Sequence, residues 1–181
     1  SVKETEDAFR ELLVQLRKKG VTYHFIDESI LAAHGGAAGG ALRVGRCSYR
    51  TVIVPRMRTL MPETYGLLQK FGGKLCVLGD IRFIGGERGD VSLKANTSLG
   101  EILEDSRFGY SCEDGCSVLT ARKGEPGEFL FVKNLSRTEE SRVRLAGAAE
   151  NYCALDLESL EERPLAGDEI VLGGAESAIL V

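Results

Sequence analysis

The chain of 181 residues contains no tryptophan, and aromatic residues make up only 7% of it. Platforms that stack sugars or nucleobases use several aromatic faces, so an extended platform is not expected. The sequence also lacks a basic stripe of the kind that binds a phosphate backbone, which argues against a nucleic acid partner. No signal peptide and no apolar run of membrane-spanning length is present in the sequence, and we predict no membrane contact.

Disulfides and metal sites are not expected either. The five cysteines are an odd number in a chain too long to need disulfide staples, which predicts reduced thiols and a cytoplasmic location. Cys112 and Cys116 resemble half of a zinc clip, but the second half is missing because Cys153 stands alone and no histidine follows. We therefore predict a turn there, no metal ion and no cofactor.

The charge is distributed unevenly along the chain. Residues 1–107 carry 16 Lys and Arg against 13 Asp and Glu, whereas residues 108–181 carry 7 against 14. The hydrophobic content of 43% is enough for packed cores. We predict two domains, over residues 1–107 and 108–181.

The pattern of the first half is typical of an open α/β sheet. An amphipathic helix over residues 3–19 ends at Gly20, and a strand over Val21–Ile26 is predicted to follow. The other predicted elements are a short helix capped by Asp27 or Ser29, a small hairpin over 42–49, a buried parallel strand over Thr51–Val54, a helix over 62–71, a strand over Lys74–Leu78, irregular chain over 80–96 and a short helix over 98–105. Such domains usually begin with a strand that lies mid-sheet, and none precedes Val21, so the first strand is expected to be missing and the chain to be a piece of a larger protein.

The second half has the pattern of an all-β domain. Short apolar segments alternate with turn signals, which is typical of a β-sandwich. The predicted strands cover residues 117–121, 129–132, 142–145, 152–155, 170–172 and 178–181.

Two motifs in the first half invite a catalytic or nucleotide-binding interpretation that their context does not support. The glycine-rich segment 35–40 lacks a Gly-Lys-Ser/Thr sequence and is followed by a hairpin, so we predict a flexible connection and no phosphate site. Cys76 lies between large apolar residues and has no histidine downstream, unlike the nucleophile of an amidotransferase on its tight elbow. We predict that Cys76 is a buried, unreactive thiol.

Four residues are candidates for binding a ligand, and no residue is assigned a catalytic role. Loops that follow parallel strands lie at the carboxyl edge of a sheet, where α/β folds bind ligands. The loops concerned are those over 55–60 and 80–88. Asp80, Arg82 and Arg88 are the candidate polar groups of the second loop, and His34 borders the glycine segment. The alternative is that these four are ordinary exposed loop residues. Glu139-Glu140 and Glu161-Glu162 are adjacent surface carboxylates, not the separated pair that a glycosidase needs.

Several ordered segments resemble the accessory region of modular glycoside hydrolases. In the first half these are VTYHFIDESIL, GGALRVGRCSYRTVIVPRMRTLMPETYGLLQKFGGKLCVLGD and IRFIGG, which are similar to an amidotransferase-like, flavodoxin-like α/β domain such as the trimerization domain of β-galactosidases. In the second half they are FLFVKNLSRTEESRVRLAG, NYCALDLESLEERPL and ESAILV, with Ser159-Leu160 standing where glycine is usual.

The resemblance implies an accessory role in carbohydrate degradation. The catalytic glutamates of such enzymes lie on a (β/α)₈ barrel that would precede this chain, so no catalytic residue is carried over. The implied partners are that barrel, a second copy in a homo-oligomer, and a carbohydrate. An alternative hypothesis is a sugar-binding module with its site at the carboxyl edge of the α/β sheet.

Overall fold

The computed structural model describes residues 2–89, 91–105, 110–112, 117–123, 128–145 and 152–181. A mixed helix and sheet part comes first and antiparallel sheets follow, and the described strands form no closed barrel. Contacts divide the chain into two units. The first comprises the residues up to Leu12 together with His24–Glu104, and the second comprises Leu13–Tyr23 together with Asp105–Val181.

The helices begin and end at the signals that the sequence provides. They are α1 (Val2–Lys18), α2 (Glu28–His34), α3 (Pro62–Lys70) and α4 (Leu99–Glu104). Beyond α1, Gly20 has a φ of +63°, and the Val21 N–H donates to the Leu16 carbonyl, which is the Schellman arrangement. Asp27 caps α2 by accepting from the Ser29 N–H at 2.8 Å.

The glycine-rich segment 35–40 forms a strand and a tight turn. The predicted flexible connection over 35–40 is wrong, because β1 (Gly35–Ala38) pairs with β2 (Ala41–Val44) and β2 pairs in turn with β3 (Cys47–Tyr49). Gly39 and Gly40 have φ angles of +59° and +74°, as a two-residue hairpin turn of this hand requires. The run of glycines therefore serves a tight turn.

A parallel pair of strands forms the centre of the first unit. β4 (Thr51–Val54) is followed by β5 (Thr59–Leu60), and β6 (Lys74–Val77) lies parallel to β4. Side chains from these strands and the helices form one apolar core. Its buried members are Leu31, Leu42, Val54, Leu60, Leu68, Phe71, Leu75 and Ile81.

β4 has one strand neighbour among the described residues, although its sequence predicts a strand buried on both sides. The Lys74 N–H donates to the Arg50 carbonyl at 2.8 Å and the Leu78 N–H to the Val54 carbonyl at 3.0 Å, so the even-numbered backbone groups face β6. Because direction alternates along a strand, the N–H and C=O groups of Thr51 and Ile53 face the opposite edge. Ile53 is only half-buried.

Two predictions around this sheet are wrong. Residues 21–27 are irregular and belong to none of the five sheets, so no strand forms over Val21–Ile26. A strand exists only with a ladder partner, which the local pattern cannot supply. Conversely, the segment predicted to be irregular contains β7 (Phe83–Ile84), which lies parallel to β5, and β8 (Glu87–Arg88).

The second unit contains two antiparallel sheets that share one apolar core. Its strands are β9 (Tyr110–Cys112), β10 (Ser117–Lys123), β11 (Glu128–Asn134), β12 (Ser141–Leu145), β13 (Cys153–Leu155), β14 (Glu162–Pro164), β15 (Glu169–Leu172) and β16 (Ser177–Leu180). The sheet orders are β10-β11-β16-β13-β14 and β15-β12-β9. Leu130, Val132, Val143, Leu145, Ile170, Leu172 and Leu180 form the core. The six predicted strands are confirmed, whereas β9 and β14 escaped prediction.

A buried asparagine joins three segments of this unit. Asn134 is fully buried at the end of β11, and its Nδ2 donates to the carbonyls of Glu139, Leu172 and Gly173 at 2.7, 3.2 and 3.0 Å. Its Oδ1 accepts from the Ser136 N–H at 2.9 Å. The polar atoms of this amide are therefore satisfied inside an apolar core, as burial demands.

The turn between β13 and β14 holds a leucine in a conformation that favours glycine. Asp156 Oδ1 accepts from the N–H groups of Glu158 and Ser159, each at 3.0 Å, and these bonds lower the pKa of the carboxyl, with the Ser159 bond contributing most. Leu160 then has a φ of +58° and a side chain that is 71% exposed. Its side chain contributes steric strain and little burial.

We expect Leu160→Gly to raise the free energy of unfolding by about 0.5–1 kcal/mol, because relief of left-handed strain exceeds the entropy that glycine adds to the unfolded chain. Urea unfolding followed by circular dichroism measures the change. Leu157→Gly is the matched control, since Leu157 is a 61% exposed residue of the same turn with an ordinary φ. It should lose stability, and equal changes in both variants would contradict the strain argument.

Candidate functional site

Two loops meet at the carboxyl ends of β4 and β6. Pro55 follows β4, and Gly79 follows β6 at a position where a Cβ atom would lie 3.0 Å from both the Arg56 Cα and the Met57 N. The loops therefore pack backbone against backbone, an approach that only glycine allows without a shift. The Arg82 N–H donates to the Arg58 carbonyl at 2.8 Å and ties the loops together further along.

These loops and the first turns of α1 surround a cleft of about 490 Å³, within the usual range for ligand sites. The described lining residues are Glu4, Thr5, Arg56, Met57, Arg58, Val77, Leu78, Gly79, Asp80 and Arg82. Three of these side chains carry guanidinium groups and two carry carboxylates. The lining is suited to holding a polar ligand through hydrogen bonds and charge.

The structure brings two of the four sequence-derived candidates together in this cleft. Asp80 and Arg82 form an ion pair with 2.6 Å between Oδ2 and Nη2, and their side chains are 71% and 60% exposed. An exposed pair of this kind contributes about 0–1 kcal/mol to stability, so its residues remain available to a ligand.

The other two candidates lie outside the lining of the cleft. His34 is the exposed last residue of α2, and its carbonyl accepts from the Gly45 N–H at 3.4 Å. Arg88 is exposed on β8, opposite Phe83. His24, the second histidine, lies with its Nδ1 2.9 Å from the Tyr49 hydroxyl.

Sequence reasoning missed the groups that contribute most charge to the cleft. Arg56 and Arg58 lie just beyond Pro55 in the loop after β4 and alternate with Met57, a spacing that is visible in the sequence. Glu4 and Thr5 come from the start of α1, and no local signal relates that helix to loops some fifty residues away. Proximity of this kind is a product of tertiary packing.

Cys76 is buried in the middle of β6, opposite Ile53 of β4. Burial raises the pKa of its thiol, which disfavours the nucleophilic thiolate. The prediction that Cys76 is buried is confirmed, and the strand continues through Cys76 to Val77 without the elbow that an amidotransferase nucleophile occupies. Its lack of reactivity stays a prediction.

Within the described ranges, no group of three or more His, Cys, Asp and Glu side chains could hold a metal ion. The segment between Cys112 and Cys116, where a turn was predicted, lies outside the described residues. None of the helices in the described part is long and apolar enough to cross a bilayer.

The fold has solved counterparts, although no protein-family model and no curated protein matches the chain. It is similar to Gan42B, a GH42 β-galactosidase, with a TM-score of 0.59 and 12% identity over 98% of this chain. It is also similar to a catalytic mutant of Gan42B from G. stearothermophilus, with a TM-score of 0.57 and 12% identity over 96% of this chain. It is similar as well to a rhamnosidase from Novosphingobium sp. PP1Y, with a TM-score of 0.53 and 14% identity over 88% of this chain.

The chain spans only part of each of these proteins. It covers 36% of the β-galactosidase chains and 19% of the rhamnosidase chain. At such identities the likeness shows the fold alone. That fold, an α/β part followed by antiparallel sheets, is the fold of a portion of larger glycoside hydrolase chains.

Proposed function

We propose that this chain is an accessory, non-catalytic part of a larger glycoside hydrolase. The observation that supports this proposal is the coverage of the fold match, which includes 98% of this chain but only 36% of a β-galactosidase chain. In this proposal residues 1–107 form an α/β domain and residues 108–181 a β-sandwich domain. They support a preceding (β/α)₈ barrel, which supplies the catalytic residues, or build the interface of a homo-oligomer.

The proposal extends to the sheet of the α/β domain, which we infer to be flavodoxin-like and related to class I amidotransferases. In this arrangement a strand from the preceding polypeptide pairs with the outer edge of β4. The outward backbone groups of Thr51 and Ile53 support this inference, because an unpaired apolar edge is normally paired or covered.

Two measurements test the accessory role. An antibody raised against the chain should detect a band several times larger than 19.6 kDa in lysate of the source cells. The purified chain should release no p-nitrophenol from a panel of aryl glycosides above the rate of a boiled sample. A band at 19.6 kDa, or enzymatic turnover by the chain alone, would contradict the proposal.

Hydrogen exchange tests the proposed strand. In a version extended by about 20 residues encoded upstream, the amide of Ile53 should exchange at least about tenfold more slowly than in the present chain. A version extended by a Gly-Ser segment of the same length is the control and should leave the rate unchanged. Equal rates in all three proteins would show that β4 gains no partner.

A second candidate function is a sugar-binding module, which the cleft beside Asp80 and Arg82 favours. His34 and Arg88 belong to this hypothesis as contacts of a larger ligand. Titration calorimetry with galactose tests it. Saturable heat that Asp80→Ala abolishes would support a carbohydrate contact at Asp80, and the absence of heat at about 20 mM galactose would reject a neutral sugar as the ligand.

A further inference from the structure

We propose that the cleft at the carboxyl ends of β4 and β6 binds a small, sugar-sized ligand that carries an oxyanion, either a carboxylate or a phosphoryl group. This inference deepens the second candidate function by naming the chemical class of the ligand. It does not depend on the accessory role.

The main support for this inference is the excess of positive charge in the lining of the cleft. Arg56, Arg58 and Arg82 contribute three guanidinium groups, against the carboxylates of Glu4 and Asp80. Arg82 is paired with Asp80, whereas neither Arg56 nor Arg58 makes a side-chain hydrogen bond or a close ion pair with any residue in the described ranges. The amino terminus, and to a smaller extent the charges of Arg56 and Arg58, lower the pKa of the Glu4 carboxyl, so one carboxylate offsets part of the positive charge of the two arginines. Two planar guanidinium groups at the cavity therefore keep hydrogen-bonding capacity for a ligand.

The backbone beneath these arginines is fixed before any ligand arrives. The Arg58 carbonyl accepts from the N–H groups of both Arg82 and Phe83, at 2.8 and 3.0 Å, and Gly79 packs on Arg56 and Met57. Arg58 and Arg82 are therefore neighbours in space at a distance set by direct backbone bonds. Donors on an ordered platform lose less entropy on binding, and guanidinium groups hold carboxylate or phosphate oxygens in pairs.

The uncharged lining sets the size of the ligand. Met57, Val77, Leu78 and Gly79 are half-buried residues that line the cleft between the charged groups. A volume of about 490 Å³ exceeds what a bare phosphate ion would fill and accommodates a monosaccharide derivative. For so small a ligand in an open cleft we expect dissociation constants on the order of 1 mM.

Titration of the full chain with three probes at about 20 mM salt tests the proposal. The probes are glucuronate, glucose 6-phosphate and glucose, and heteronuclear NMR shifts of the amides at Arg58 and Arg82 report binding. We expect one or both anionic probes to bind at least about tenfold more tightly than glucose. The better of the two anions identifies the source of the oxyanion, and its affinity should fall with added salt.

Four substitutions assign the binding to the cleft. Arg56→Gln and Arg58→Gln should each weaken binding of the anionic probe about tenfold, since each removes a charge-assisted contact. Arg46→Gln is the matched control, because Arg46 is exposed, does not line the cleft and belongs to neither ligand hypothesis, and it should stay within about twofold of the parent. Asp80→Asn should tighten anion binding about two- to fivefold, because it frees Arg82 and removes a repelling charge.

The sign of the Asp80 effect separates this inference from the neutral-sugar hypothesis. Equal binding of glucose and the anions, lost in Asp80→Asn, would overturn the oxyanion inference and leave a sugar-binding module standing. Binding that Arg46→Gln weakens as much as Arg56→Gln would place the ligand elsewhere. No shift with any probe at about 20 mM, in a sample whose spectrum is that of a folded protein, would reject both ligand hypotheses and leave the accessory role untouched.

Discussion

Replacing Gly73 with alanine is expected to lower the free energy of unfolding by at least about 3 kcal/mol. A Cβ atom at Gly73 would lie 2.5 Å from the Arg50 carbonyl oxygen, 2.7 Å from that of Gly40, and against the Phe71 ring. Two of these neighbours are backbone atoms that cannot rotate away. The Arg50 carbonyl also accepts the Lys74 N–H that opens the β4–β6 ladder, so a shift there would disturb the central strand pair.

The neighbouring glycine provides a matched control for this experiment. A Cβ atom at Gly72 would lie 3.5 Å from the Gly40 Cα, which is ordinary van der Waals contact. Gly72→Ala should therefore change the urea midpoint little. If both variants lost the same stability, the loss would come from a general demand for glycine after α3 and not from the contacts of Gly73.

Asn134→Ala is expected to cost about 2–3 kcal/mol, because it removes the donor shared by the buried Leu172 carbonyl and the part-buried carbonyls of Glu139 and Gly173. The neighbouring Leu135 is 51% exposed, so Leu135→Ala should cost far less and serves as the control. Urea unfolding of both variants measures the difference. If Asn134→Ala lowered the free energy of unfolding no more than Leu135→Ala, water would have taken over the hydrogen bonds of the lost amide.

The isosteric Asn134→Asp change makes the same network testable through pH. At neutral pH the new carboxylate would face carbonyl oxygens where Nδ2 now donates, so it cannot reproduce the bonds, and stability should fall at least as far as with alanine. Repulsion and burial would raise the folded-state pKa of this carboxyl above its unfolded value. The variant should therefore regain stability relative to the parent as the pH falls below the raised pKa, and a constant difference between about pH 4 and pH 8 would contradict the argument.

Elements with strong local signals were predictable, whereas those that depend on distant partners were not. The capping residue Asp27 and the Schellman glycine Gly20 encode their helix ends within a few residues. The extended pattern of Val21–Ile26 is equally local, but a strand needs a ladder, and the segment is irregular. β9 (Tyr-Ser-Cys) and β14 (Glu-Arg-Pro) are three-residue strands that contain no apolar run, so neither gives the signal that marked the other strands.

The site was predictable in position but not in composition. The rule that ligands bind beyond the carboxyl ends of parallel strands led to Asp80 and Arg82, which line the cleft. It also led to the loop over 55–60, but Arg56 and Arg58 were not singled out within that loop, because exposed arginines are common in polar loops. It also drew in Arg88, which the short strand β8 places outside the lining. Gly85 and Gly86, both with positive φ, form the turn between β7 and β8, a hairpin signal that the irregular assignment of this segment overlooked.

The buried amide of Asn134 has a consequence for production of the protein. Asn134-Leu135-Ser136 is an acceptor sequence for N-linked glycans, which eukaryotic cells attach in the secretory pathway. The folded chain has no room for an oligosaccharide on a fully buried side chain whose Nδ2 already serves three carbonyls. A chain modified at this residue before folding could not close its second unit, so secretion from yeast or mammalian cells would yield a misfolded fraction that bacterial cytoplasm avoids.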